Sequence, residues 1–298
     1  MSTTAPPSGR TLLPTYFFVA AWASFVLNVL IIATGGTVRL TGSGLGCSEW
    51  PVCTPGSLVP TPDLGISGII EFANRTISAP LLIAAVIVVV VSWRVRRQRH
   101  DLLVISLVVL ALVILQAIVG AFVVWEELAA VLVGFHYTVS VIIVCITAAY
   151  LARMVEAAGP RERAVPRGFA IVTHLTALAM AVTVLFGVIT TASGPHSGDE
   201  NIVRDGFDAT LMSHVHAWPG YVLAGLIVVL VAWAALARLR PLRWTLALLA
   251  ITVVQIAIGV YQARNGLPPF AVGTHMVLAA LNAATLTVVV LRLKKPTL

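Results

Sequence analysis

Three histidines and one carboxylate stand where polar residues are rare, inside long apolar runs of the chain: His136, His216, His275 and Glu71. A central charge in a membrane span costs about 2.5–3.5 kcal/mol on insertion scales, so such residues face the bundle interior and mark function. Neutral imidazoles on two neighbouring helices are the usual means of holding a heme iron in a helical bundle. His216 and His275, at similar depth, meet that need, and His136 offers a third ligand. A lone membrane histidine more often only hydrogen-bonds a neighbouring helix. Matched depth, and the recurrence of His136 as His275, weigh against that plainer reading here. His214 lies two residues from His216 and points to a different face, so one of the two is the ligand. His100, His174 and His196 lack a comparable partner and default to packing or loop roles.

Glu71 and Asn74 are three residues apart and share a helix face, while Arg75 at i+4 can pair with Glu71. At its plainest this is an ion pair that stabilises a helix end. Functionally, Glu71 can relay protons or position a reacting oxygen, and Arg75 can bind a heme propionate. Of the three cysteines, Cys145 lies deep in an apolar run and reads as packing. Cys47 and Cys53 share one loop, where a disulfide is expected if that loop faces an oxidising compartment. Their spacing of six is unlike a metal site. A loop staple and a redox pair both remain open.

These residues must be positioned by membrane helices. The 298 residues are 59% hydrophobic and 10% charged, with mean hydropathy +0.98. That excludes a water-soluble globular domain and a disordered chain. Eight stretches reach the roughly 20 residues that a span requires: Tyr16–Ala33, Ile66–Trp93, Leu102–Val124, Ala129–Leu151, Phe169–Thr190, Leu211–Ala235, Trp244–Ala263 and Ala271–Leu293. The first is too long for a signal-peptide core and is kept as a helix. The net charge of +7 comes from clusters between spans rather than from one basic face, so it reads as topology and not as nucleic-acid binding. With the N-terminus cytoplasmic, Arg10 and every other Lys and Arg except Arg39, Arg75, Arg204 and Arg264 falls inside. Glu49, Asp63, Glu126, Glu127, Asp199, Glu200, Asp205 and Asp208 gather outside. Both termini are then cytoplasmic in a cell membrane, and the two longest loops, Gly35–Gly65 and Ala192–Thr210, face outward with the polar cluster near them.

The chain also repeats. Gln116, Gly120, Gly134 and His136 recur as Gln255, Gly259, Gly273 and His275, each 139 residues later, and Thr41-Gly-Ser-Gly44 is echoed by Thr191-Ala-Ser-Gly194. The expected fold is all-α: two tandem four-helix bundles, residues 1–155 and 165–298. Four crossings separate equivalent helices, so the halves share one orientation and are related by a pseudo-twofold axis along the membrane normal.

Together, Gly42-Ser-Gly-Leu-Gly-Cys47-Ser-Glu-Trp-Pro-Val-Cys53, Glu71-Phe-Ala-Asn-Arg75, Gly194-Pro-His-Ser-Gly-Asp199 and the histidines of helices four, six and eight resemble the heme A synthase family. The resemblance extends over nearly the whole chain. It implies a membrane oxidoreductase that converts the C8 methyl of heme O to the formyl of heme A for terminal oxidases. It implies heme b in the C-terminal half on His216 and His275, and substrate heme O in the N-terminal half. It makes His136 an iron ligand there, with Asn74 and Arg75 beside the substrate, and Glu71 the catalytic carboxylate. It also supports a redox part for the Cys47–Cys53 disulfide. The family pattern Glu-x-x-His-Arg has Asn74 in place of its histidine. Either the substrate iron is held mainly by His136 with its other face open, or Asn74 simply bonds to another helix.

Two other classes compete. A diheme, quinol-linked electron-transfer cytochrome needs four competent ligands, and Asn74 counts against it. A transporter favours midplane helix breaks, which most of these spans lack. The implied partners are heme O and heme A, membrane lipid, a heme O synthase, the terminal oxidase under assembly and an electron donor that the sequence does not identify.

Overall fold

The computed structural model describes residues 13–202 and 207–297. Arg10, Arg204 and Asp205, used above for topology, lie outside the described residues. Among those described, eight helices are long and apolar enough to cross a membrane: α1 Thr15–Leu40, α2 Gly65–Arg94, α3 His100–Trp125, α4 Ala130–Met154, α5 Arg167–Ala192, α6 Ala209–Leu236, α7 Leu242–Arg264 and α8 Pro269–Leu291. The chain is therefore a multi-pass α-helical membrane protein.

Seven helices fall within a few residues of their expected bounds, but α1 runs on to Leu40, through the stretch expected to begin the first long loop at Gly35. Gly35 and Gly36 do not stop it, because glycine is common in membrane helices and admits close packing. A side chain at Gly36 would reach the thioether of Met276 on α8 at 3.8 Å. Local chemistry sets other ends. Asp208 caps α6 by accepting from the Leu211 N–H at 2.6 Å, and α8 opens on Pro269, whose missing N–H is lost at no cost in a first turn.

Helices α1–α4 pack around Leu81, Ala85, Val113 and Ile143, and α5–α8 around Met180, Ile227, Leu248 and Val289. Between them runs a seam of α1, α4 and α8 built on Val144, Ala148, Ala280 and Ala284. These small and β-branched side chains let backbones approach where apolar burial gives no drive inside lipid. Tyr137 on α4 crosses the seam, its Oη donating to the carbonyl of Met276 at 2.9 Å.

At the end of the bundle away from the long loops, two short strands that the hydropathy pattern does not signal form a ribbon. β1 (Arg161–Arg163) pairs antiparallel with β2 (Lys294–Pro296). Beside the ribbon, half-buried Glu156 binds both Arg161 and Arg292.

Candidate functional site

At the loop end of the bundle, one cavity of about 720 Å³ is lined by residues of all eight helices. Glu71 and Asn74 from α2, His136 from α4, His216 from α6 and His275 from α8 all border it. The candidate residues of both halves thus border the same space.

His216 and His275 face each other with ring centroids 6.2 Å apart and planes at 79°. Nδ1 of His216 lies 3.0 Å from the carbonyl oxygen of Thr183. A carbonyl only accepts, so that nitrogen carries the proton and Nε2 presents its lone pair. The rings fit because α5 and α7 offer glycine opposite them. A Cβ on Gly187 would lie 2.9 Å from Cε1 of His216, and one on Gly259 would lie 3.0 Å from Cε1 of His275. His214 turns away, its Nδ1 bonded to the Thr210 carbonyl of its own helix at 2.8 Å, and it does not border the cavity.

His136 and His275 share a setting. The Gln116 amide donates to the His136 carbonyl at 2.7 Å, and the Gln255 amide donates to the His275 carbonyl at 3.1 Å. The Nδ1 atoms of both histidines are buried without a hydrogen-bond partner. Sequence reasoning found these glutamines as repeat markers but missed what they do. Their signal was the Gln-x-x-x-Gly spacing, which puts a donor and a gap on one helix face opposite the histidine helix.

On α2, Glu71 is 4% exposed. Its Oε2 accepts from the Cys47 backbone N–H at 2.6 Å, and its Oε1 accepts from Arg75 Nε at 3.0 Å. Arg75 uses all five N–H donors of its guanidinium. Besides two bonds to Glu71, it donates to the carbonyls of Glu49 at 2.6 Å, Val52 at 3.1 Å and Cys47 at 3.2 Å. The expected use of Arg75 on a propionate would have to displace one of these bonds. Asn74 is also committed, its Oδ1 accepting from the Thr34 hydroxyl of α1 at 2.7 Å. That is the interhelical bond left open as one reading of the sequence.

The loop above is tied to this face. Cys47 and Cys53 form a disulfide, and the two residues are 0% and 1% exposed. Gly46 lies against the backbone of Ser67, where an added Cβ would come within 2.5 Å. The Gly44 N–H donates to the Gly198 carbonyl at 2.7 Å, joining the first long loop to the second. His196 in that second loop bonds through Nε2 with the Leu267 carbonyl at 2.9 Å, a structural tie to the α7–α8 turn. Among the described residues no group of three or more His, Cys, Asp or Glu forms a conventional metal-ion site.

Fold and site together define a polytopic helical membrane protein whose intramembrane histidines converge on one cavity under a disulfide-closed loop. Residues 19–196, more than half the chain, match the COX15-CtaA family, described as cytochrome oxidase assembly protein, and the chain belongs to that family. It is similar to proteins named heme A synthase from Bacillus cereus strain AH187 and Bacillus anthracis strain A0248, with 34% identity over 119 residues in each case. The aligned stretch is 39% of this chain and 37% of each relative.

Proposed function

We propose that this protein is a membrane oxidoreductase that converts heme O to heme A, oxidising the C8 methyl to a formyl by two successive hydroxylations, each a two-electron oxidation at the expense of an external oxidant, and loss of water from the resulting diol. The observation that carries this reading is the pair His216 and His275, their ring centroids 6.2 Å apart in a cavity that His136 and Glu71 also line. The names of the similar proteins point the same way.

The donor set fits a heme. Two imidazoles bonded to opposite sides of one ion at about 2 Å each have centroids roughly 6 Å apart, and those of His216 and His275 are 6.2 Å apart. The Thr183 carbonyl fixes the tautomer that leaves Nε2 free, the usual means of orienting a metal-binding histidine. In this reading His216 and His275 hold heme b in the C-terminal half, residues 165–298. His136 binds the substrate iron in the N-terminal half, residues 1–155. Heme b, when bound, supplies one-electron chemistry next to the substrate.

The chain's own residues provide position and proton handling. Glu71 lines the cavity, held by Cys47 and Arg75; Arg75 occupies Oε1 twice, which leaves Oε2 to take a proton as the methyl is oxidised. Asn74, engaged by Thr34 and a weak iron ligand in any case, leaves the face of the substrate iron opposite His136 without a strong protein ligand. Arg75 acts as a clamp for Glu71 and the loop. The matched Gln116–His136 and Gln255–His275 contacts support the duplicated, pseudo-twofold arrangement. We place the cavity towards the outer side of a cell membrane, with both termini cytoplasmic, from the charge distribution along the chain. A heme O synthase and a terminal oxidase fit as the supplier of substrate and the recipient of product.

The test is to express the chain with a source of heme O, extract the hemes and separate them by liquid chromatography with mass detection. Heme A that depends on the intact chain supports the reading. Heme O bound but unchanged beside heme b would favour an electron-transfer cytochrome. Two low-spin bis-histidine hemes in the purified protein would sink the open-face assignment at Asn74.

A further inference from the structure

The cavity is not equally closed on its two sides. Around His216 and His275 its wall residues, among them Val184, Gly187, Gln255 and Ala279, are at most partly exposed. Apart from Pro51 in the first long loop, its exposed wall residues all lie on α2 and α3: Ser78, Ala79, Leu82, Ile114 and Ala117. Leu82 is 40% and Ile114 48% exposed although both line the cavity. Wall residues this much more exposed than the rest of the lining point to a mouth there. This mouth is in the side of the bundle, between two membrane-spanning helices.

Its depth follows from the helix repeat. Gly120 on α3 faces His136, with a Cβ position 3.6 Å from Cε1. Ala117 and Ile114 lie one and two turns farther from the disulfide loop, as Ser78 and Leu82 do relative to Asn74 on α2. The opening therefore lies within the hydrocarbon region, just past the His136 site. Its rim is apolar or small: Ala79 and Ala117 leave the gap, and Leu82 and Ile114 flank it.

We infer that the α2–α3 mouth is the subsite for the isoprenoid side chain of the substrate heme, which passes through it into the bilayer while the macrocycle sits at His136. This rests on the heme O reading above and deepens it. Heme O differs from protoheme by that long apolar chain. An exposed wall on the His136 side, with no exposed helical wall residue around the His216–His275 pair, suits an exchangeable tailed heme on one side and a retained tail-less one on the other. The contact is apolar and non-directional, so it selects for the tail rather than for iron or ring chemistry.

The experiment titrates heme O, and separately protoheme, into the purified full chain in lipid nanodiscs, with the heme held by His216 and His275 measured first as a check on folding. Ala117→Trp and the milder Ser78→Leu would narrow the mouth. Ile118→Trp, on α3 but outside the cavity wall, is the control. The expected result is heme O binding weakened by about tenfold or more, the equivalent of two buried methylenes, with protoheme binding little changed and the Ile118 variant like the parent. Equal losses for both hemes, or no loss for heme O in either variant, would overturn the subsite. The second result is also what a lipid acyl chain merely resting in the gap would give. Because the readout is binding, a chain that takes heme O by its tail but never yields heme A overturns the synthase reading and leaves this one standing.

Discussion

The backbone N–H of Cys47 donates to Oε2 of Glu71 at 2.6 Å, so the disulfide loop and the buried carboxylate are one unit. Arg75 completes it from the other carboxylate oxygen and from three loop carbonyls. Changes to the loop therefore reach Glu71 directly.

Glu71→Gln keeps the shape and an oxygen acceptor but removes the charge and the exchangeable proton. We expect turnover to fall by about 10²-fold or more, the usual scale for a proton-transfer group, while total bound heme stays close to that of the parent. Heme extraction and chromatography read both quantities. Near-parental turnover would remove Glu71 from the mechanism and leave it as a clamp partner.

Replacing both Cys47 and Cys53 with Ala separates a staple from a redox pair. Closing so short a loop contributes ~2 kcal/mol in the chain-entropy picture. With both cysteines buried, the expected variant melts at lower temperature yet still forms heme A at a reduced rate. Complete loss of product at a temperature where the protein is demonstrably folded would point to obligatory thiol chemistry.

His216→Ala and His275→Ala should each abolish the low-spin heme b signal in a reduced-minus-oxidised spectrum, and His214→Ala should not. The two-residue offset puts His214 on its own helix carbonyl. A lost signal in the His214 variant alone would reverse the ligand assignment.

Gly187→Ala and Gly259→Ala test the fit of the rings. Each added methyl would press on an imidazole at 2.9 or 3.0 Å, closer than non-bonded carbons approach. We expect lower heme content at constant protein yield. Gly225→Ala, with nothing within 4 Å, should be neutral, and a matching loss there would show that the effect is general to helix glycines.

Helix number and type were legible because each span is a long apolar run, and residue charge marked their ends. The extension of α1 to Leu40 was not, since Gly35-Gly36 reads as a break in water and as a packing surface against α8 in a membrane. Among the site residues, His216, His275, His136 and Glu71 were visible as polar outliers. Their surroundings were not, because Thr183 and Gly187 are unremarkable in sequence and matter only through helices that pack beside them. That the candidate residues of both halves border one cavity, and that Ala117 is exposed on its wall, depend on how the helices pack. No residue type announces that.

The ribbon of β1 and β2 gives the second half a property of its own. Its entry and exit strands meet, with the Ala164 N–H bonded to the Leu293 carbonyl at 2.8 Å and the Thr297 N–H to the Pro160 carbonyl at 3.0 Å. Four helices that begin and finish at the same point form a closed circuit. Cutting the chain at Gly159 would leave that circuit intact and sever only a tether, because the ribbon lies wholly on one side of the cut. The two fragments, made as separate polypeptides, would still meet along the alanine seam and at Glu156, which reaches across the cut to Arg161 and Arg292.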